Sequence, residues 1–434
     1  MYRLLILRKE LIYTKYKAEI FDCLQFLYNT TGFNDHQLHC VIKFESKVNA
    51  RIMEKAVTAL TKTVPVLTRV YRHNNGHSYW EATDELDLSE LFRVVDNIEE
   101  FEAFTYSKTY EEAGPQVKVC LLQAETDALS IVMNHMVTDG IGIKQCAYLL
   151  SQLYSNLVKN PGFKPENIID GDRDFRKVLS HIPLLDKIKI LFLNNKDNNQ
   201  SIDFTFPMSC DENIAPFILT HELIPERYSS ILSYCKKHTV TVNDVMLTAY
   251  FRVLSKMLGI NGKPLNIPIM IDMRRYLKEK DFRTLTNLAS TVIITATVEA
   301  REDFSATLAR VCAEMKKKKN NYLGINPYIK LDTLFRLCKG NLAYKILKRS
   351  LKNPNICMTN IGVLDSAKLH FEGSHISNAF VCGSIKYRPH FQMAVSSFND
   401  RMTLSVNLYG SLKDRNNISE FFKLMDNELM FHVT

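Results

Sequence analysis

The sequence has 434 residues, 46% of them hydrophobic and 24% charged, which is an ordinary globular composition long enough for two or three packed units. Its 55 Lys and Arg against 47 Asp and Glu leave a charge of +8, compatible with an anionic substrate or an acidic partner but too small for a nucleic-acid footprint. No apolar run approaches the roughly 18 residues of a membrane span, and the opening MYRLLILRKELIY has too short an apolar core for a secretory signal. The ten scattered cysteines show no metal-ligand spacing and read as small buried hydrophobes, so a reducing, cytoplasmic setting is expected.

In chain order, residues 36–44, HQLHCVIKF, have strand character. On a strand, residues three apart point to opposite faces, so His36 and His39 are not expected to converge on a metal. Residues 50–64 place Ile52, Ala56, Val57 and Leu60 on one helical face before Pro65 ends it. Residues 66–72 and 77–82 read as a hairpin around Asn74, Asn75 and Gly76, and residues 116–122 and 128–134 as a second one around Glu125, Thr126 and Asp127.

That second hairpin delivers His135. The stretch 130–154, SIVMNHMVTDGIGIKQCAYLLSQLY, starts as a strand and resumes with helical spacing at Ile143, Cys146, Ala147, Leu149, Leu150 and Tyr154. A histidine at a strand end is held firmly yet can open on a cavity, and its neutral ring can accept a proton near neutral pH. Asp139 could touch the histidine or lock the loop through another bond, while Gly140 and Gly142 permit close approach. On these residues alone, a structural histidine beside an Asp helix cap remains an equal reading.

From 162 to 207 the pattern weakens, and NNKDNN at 194–199 is the most loop-like stretch, as expected of a crossover between two halves. Residues 242–258 then form a strong helix, with Thr241 or Asn243 as its cap. A strand over 266–272 puts Arg274 and Arg275 just past its end, and 288–298 reads as another strand. Residues 303–315 form a helix whose following lysines, Lys316 to Lys319, suit the negative pole of the dipole. Strands at 391–398 and 402–409 join at Asn399 and Asp400, and a last amphipathic helix carries Ile418, Phe421, Phe422, Met425 and Leu429.

NHMVTDG resembles the HxxxDG motif of the superfamily of chloramphenicol acetyltransferase, peptide-synthetase condensation domains, plant BAHD acyltransferases and polyketide-associated acyltransferases. The resemblance extends from about residue 20 to 430, in order, through FDCLQFL, HQLHCVIKFESKVNARIMEKAVTALTKTVPVLTRVYR, VTVNDVMLTAYFRVL, IDMRRYL, MTNIGVLD and SSFNDRMTLSVNLYG. It implies an α/β fold of mixed sheets, with two chloramphenicol acetyltransferase-like halves, 1–195 and 196–434, forming a V around a central active-site tunnel. His135 matches the general base that deprotonates an alcohol or amine acceptor as it attacks an acyl thioester. Asp139 matches an aspartate that points away from the histidine and pairs with an arginine, here Arg274, whose fork could hold the loop bidentately. Gly140 matches the glycine that lets the loop turn tightly. Asn134, Asn360, Ser396 and Ser397 are candidates for substrate or oxyanion contacts, with locally bonded strand residues as the competing reading.

The resemblance further implies acyl-CoA or an acyl carrier protein thioester as co-substrate, a small-molecule acceptor, a monomer, and neither metal nor tightly bound cofactor. Asn134 stands where condensation domains carry a first histidine, the sequence shows no carrier or adenylation module, and the BAHD DFGWG motif is replaced by SSFNDRM. These departures favour a free-standing acyltransferase. The competing expectation is a catalytically idle relative kept as a binding or docking module.

Overall fold

The computed structural model describes residues 15–431 apart from 74–76, 84–85, 167, 193–203, 278–283, 320–321, 339–340 and 352. The first hairpin's turn, the NNKDNN stretch and the whole of the opening MYRLLILRKELIY therefore lie outside the described residues. In chain order the strands are β1 (Lys15–Lys17), β2 (Gln37–Phe44), β3 (Val70–Arg72), β4 (Tyr79–Glu81), β5 (Phe92–Val95), β6 (Val117–Leu122), β7 (Ala128–Asn134) and β8 (Ala215–Leu223). They continue as β9 (Leu265–Asp272), β10 (Ala289–Ala296), β11 (Ile356–Leu364), β12 (Ile376–Cys382), β13 (Lys386–Tyr387), β14 (Phe391–Phe398) and β15 (Arg401–Gly410).

Two large mixed sheets organise the molecule. The first has the order β12-β2-β7-β6-β5, with β7 antiparallel to both neighbours. All seven residues of β7 are buried, because helices cover both faces of its sheet. Leu129, Ile131 and Met133 pack with the helices Ala50–Thr63 and Gly140–Lys159, whereas Ala128 and Val132 pack with Phe101 and Phe104 of the helix Ile98–Thr105. That two-sided cover explains a strand of nearly continuous apolar residues.

The second sheet runs β10-β9-β11-β14-β15-β13, with β8 also paired to β15. The helix Val242–Leu258 packs on it, its start fixed by a capping box between Thr241 and Asp244. Phe206 stacks on Phe391 with ring centroids 3.9 Å apart, and Phe421 meets both edge-on at 5.8 and 5.4 Å. The final helix, Leu412–Glu428, thus closes a core of interlocked rings.

The halves are laced together rather than merely abutted. The late strand β12 pairs antiparallel with β2, so residues 376–382 complete the first sheet. Strand β11 bulges between Asn360 and Gly362, where Gly362 takes a φ of 75° that favours glycine. Ile361 at the bulge and Leu364 beyond it enter the first core.

Several boundaries differ from the periodicity reading for local reasons. Pro65–Thr68 is a 3-10 turn, which shortens the first hairpin strand to Val70–Arg72. The basic helix runs Phe304–Lys319, so its four lysines lie within its last turn. His36 precedes β2 with a φ of 45°, and its Nε2 lies 3.1 Å from Glu111 Oε2, in a pair that joins elements of the first half. All ten cysteines are free thiols. Among the described residues no helix is long and apolar enough to cross a membrane.

Because Phe421 is fully buried among four other rings, Phe421→Ala should cost about 3–5 kcal/mol. Urea unfolding of the purified variant measures it, and a cost under about 1 kcal/mol would contradict this account of the packing.

Candidate active site

A cavity of about 590 Å³ lies between the two sheets. The loop after β7 contributes His135 and Gly140, β9 and β10 contribute Met270 and Ser290, and β11 contributes Thr359 and Asn360. Phe21 and Leu24, from the helix Ile20–Thr30, add an apolar wall.

His135 sits one residue beyond the end of β7, where its N–H donates to His36 O at 2.7 Å. Its Nδ1 lies 2.7 Å from Thr138 O. A carbonyl oxygen only accepts, so Nδ1 carries the proton and the neutral ring keeps a bare lone pair on Nε2. Asn287 Nδ2 is 3.2 Å from both His135 Nδ1 and His135 O. With Nδ1 protonated, the amide can donate only to the carbonyl, so the Nδ1 approach is a packing contact. Burial lowers the imidazole below the ordinary histidine range, against opposing effects of the Thr138 bond and Asp139. His135 is therefore neutral at physiological pH.

Asp139 does not touch this ring through its carboxylate. Its Oδ1 accepts Ile141 N–H at 3.1 Å and Gly142 N–H at 3.0 Å, capping the helix Gly140–Lys159. Its Oδ2 accepts Arg274 Nη1–H at 2.8 Å and Leu288 N–H at 2.7 Å. Burial alone would raise this carboxyl, but the Arg274 charge and these N–H donors together hold it below the usual carboxylate range. The expected bidentate fork is replaced by a divided one. Arg274 Nη1 serves Asp139 and Asp272, the latter at 3.1 Å, while Nη2 donates to Thr286 O at 3.0 Å.

Glycine at 140 answers to space rather than to torsion. Its φ is not left-handed, but a Cβ there would stand 2.8 Å from Ile361 Cδ1. Gly142 is tighter still, since a Cβ would collide with Thr138 Oγ1.

A second clamp was missed in the sequence because Arg173 falls in its least patterned region. Arg173 grips Asp22 with both Nη atoms, at 2.8 and 2.9 Å, and donates to Met136 O at 3.2 Å and to Leu285 O at 2.9 Å. Trp80 Nε1 donates to the same Asp22 at 2.8 Å. Asn287 was missed as well, in an unremarkable polar run between two strands. Lys144 spans the halves too, donating to Ile361 O at 2.8 Å and Val363 O at 3.1 Å.

The four suggested polar contacts separate clearly. Asn360 faces the cavity, with its Oδ1 taken by Gly362 N–H at 2.9 Å and only a long 3.4 Å contact from its amide nitrogen to Asn243. Asn134 is fully buried and turned away, bonding Met136 N–H at 2.9 Å and facing His36 at 3.3 Å. Ser396 accepts Val381 N–H at 3.2 Å and Ser397 lies 3.3 Å from Tyr228 Oη, so both serve the packing between layers and neither lines the cavity.

Residues 285–426 match the family model of the WS/DGAT C-terminal domain. Among solved structures, polyketide synthase associated protein 5 of Mycobacterium tuberculosis superposes with a TM-score of 0.68 at 12% identity, over 96% of this chain and 98% of its own. A starter condensation domain of rhizomide synthetase, a mutant in complex with C8-CoA, gives 0.67 at 12% identity, over 97% and 96%. The chain has the condensation-domain fold. Trichothecene 15-O-acetyltransferase of Fusarium sporotrichioides shares it, with a TM-score of 0.68 at 12% identity over 96% of both chains. Cyclosporin synthetase of Tolypocladium inflatum is 27% identical over 163 residues, 36% of this chain and 1% of the synthetase. Enniatin synthase of Fusarium equiseti is 22% identical over 249 residues, 52% of this chain and 8% of the synthase. The matched segments are thus small parts of those relatives.

Arg274→Met would leave the Asp139 carboxylate buried without its cation and should cost about 3–5 kcal/mol near neutral pH. The sign with pH is fixed by the depressed folded pKa: the stabilisation is complete above the unfolded value of about 3.9 and is lost as pH falls through the folded one. Denaturant unfolding of both proteins should therefore show a gap that is wide at neutral pH and closes in acid; a gap that stays constant would refute the linkage.

Proposed function

We propose that this protein is an acyltransferase that moves an acyl group from a thioester to a hydroxyl or amine acceptor by direct attack, with His135 as general base. The observation that carries the reading is the ring's fixed tautomer, with Nδ1–H tied to Thr138 O and Nε2 left as the free base at a cavity-lining residue. In the proposed step, Nε2 takes the acceptor's proton as its oxygen or nitrogen bonds to the thioester carbon. The resulting oxyanion collapses, the carbon–sulfur bond breaks, and the leaving thiolate recovers the proton from the imidazolium. Asn360, whose amide nitrogen makes only a long contact to Asn243, can donate from the cavity wall to that oxyanion.

Asp139 and Arg274 act in this reading as positioning residues, because their bonds run to the loop and to β10 rather than to the base. Residues 1–195 and 196–434 serve as the two acyltransferase halves, supported by a second core drawn wholly from the late half, although Leu285, Ile361, Leu364 and β12 of that half join the core or sheet of the first. An acyl-CoA donor is supported by the C8-CoA named for the structural neighbour, and the modest net charge of +8 suits either CoA or an acidic carrier protein.

Free-thiol release, measured with acyl-CoA and acyl-carrier donors and pooled alcohol and amine acceptors, tests the reading. Acceptor-dependent release should fall by about 10² or more in His135→Ala. Equal, weak release by folded wild type and variant would sink it.

The pH profile offers a second check. Because burial lowers the His135 pKa, the base form persists below the ordinary value of about 6.5, and kcat/KM should lose activity only as pH falls beneath it. An acid limb centred above about 7 would show that His135 does not carry the rate.

A further inference from the structure

Lys386 opens the short strand β13 and lines the same cavity as His135, yet only 9% of its surface is exposed. Among the described residues its side chain has no hydrogen bond and no ion pair. The residue forms part of the cavity wall. Lys386 is also the one lysine or arginine among the described residues that line this space. Burial lowers the Lys386 ammonium below the ordinary lysine range, and an arriving anion would restore its preference for the charged form.

Its surroundings are those of an anion's second and third donors. An antiparallel bridge sets Asn34 directly opposite Lys386, and both line the cavity. Asn34 Oδ1 already accepts His36 N–H at 2.8 Å, so the group it has left to offer is its NH2. Ser384, two residues before Lys386, also lines the cavity and has no hydrogen-bond partner among the described residues. The nearby carboxyl, Asp35, spends its Oδ1 on the N–H groups of Gln37 and Ile385, and burial pushes it up to about 6. It makes no ion pair with Lys386. Met270 and Ile293 form an apolar stretch of the same cavity. Such a space suits a chain that is greasy along its length and charged at one point.

We propose that Lys386, with Asn34 and Ser384 beside it, is an anion subsite that receives a carboxylate carried by one of the two reactants. A carboxylate fits better than a phosphate, because a single ammonium offers neither the guanidinium fork nor the nest of backbone N–H groups that a phosphate dianion attracts. The inference deepens the acyl-transfer reading by naming a substrate feature, and its first test is a binding measurement that needs no turnover.

That test is calorimetric titration of the full chain with octanoate and, as the neutral isostere, octanamide. Wild type and His135→Ala should both prefer octanoate by about tenfold or more, the expected worth of a charge-assisted hydrogen bond in an enclosed site. Lys386→Gln and Lys386→Met should lose that preference while binding octanamide as wild type does, which also reports that they are folded. Equal binding of the two ligands by wild type, or a preference that survives in either folded variant, overturns the subsite. Two further arms in the His135→Ala background locate the source. Adipoyl-CoA against hexanoyl-CoA tests a donor carboxylate, and serine against serinamide tests an acceptor carboxylate. A Lys386-dependent preference in one arm assigns the reactant, and its absence from both overturns the claim that a reactant supplies the charge. Because His135→Ala cannot catalyse by the proposed base, success here with failure of thiol release would leave the subsite standing and the acyl-transfer reading refuted.

Discussion

One buried carboxylate fixes the geometry on which the cavity depends. Asp139 accepts four hydrogen bonds, two from the first turn of the helix Gly140–Lys159 and two from Arg274 and Leu288 at the ends of β9 and β10. The first pair belongs to the early half of the chain and the second to the late half. A carboxylate buried this deeply must be fully satisfied or it would favour protonation. Here the satisfaction is possible only when the two sheets meet in one arrangement, so the electrostatic requirement of a single side chain sets the distance between the walls of the cavity.

Two further clamps make that arrangement rigid. Arg173 ties Asp22 to the carbonyls of Met136, in the loop that holds His135, and of Leu285. Lys144 binds the carbonyls of Ile361, at the β11 bulge, and of Val363 beyond it. Each cation therefore joins the early half to backbone in the late half, and each neutralises carbonyl or carboxylate groups that ladder hydrogen bonds cannot reach. The exchange of β12 into the first sheet does the same with backbone pairing. A cavity wall built this way can carry unsatisfied groups of its own, such as Lys386, without collapsing onto them.

What the sequence disclosed followed from periodicity and capping. The strand that stops at Asn134, the helix that starts beyond Asp139 and the helix behind Thr241 are all written in local patterns that tertiary structure reinforces. The resemblance around NHMVTDG and IDMRRYL pointed to Asp139 and Arg274 as a pair, which local reading could not do because 135 positions separate them. Asn134, Ser396 and Ser397 illustrate the limit. Each stands in a motif segment, yet the face it takes is decided by register and by neighbours such as His36, Val381 and Tyr228. Arg173, Asn287 and Lys386 gave no local signal, since their importance lies in which distant groups they meet.

The partner chosen for His135 has a chemical consequence. In many hydrolytic sites a carboxylate backs the histidine and stabilises the imidazolium; here a neutral carbonyl, Thr138 O, holds Nδ1–H, and Asp139 turns its oxygens elsewhere. A carbonyl orients the ring as firmly but lends it less basicity, and burial reduces it further. In the proposed reaction that weakness is tolerable. A thioester's leaving group is a thiol with a pKa of about 8.5, so its expulsion demands little proton delivery, whereas an amide or ester leaving group would demand much. The base has only to remove the acceptor's proton late in the attack, once bonding to carbon has made that proton acidic. A site with a weak, rigidly oriented base is thus better matched to transfer from a thioester than to hydrolysis of amides, and the carbonyl behind His135 is the feature that makes the distinction.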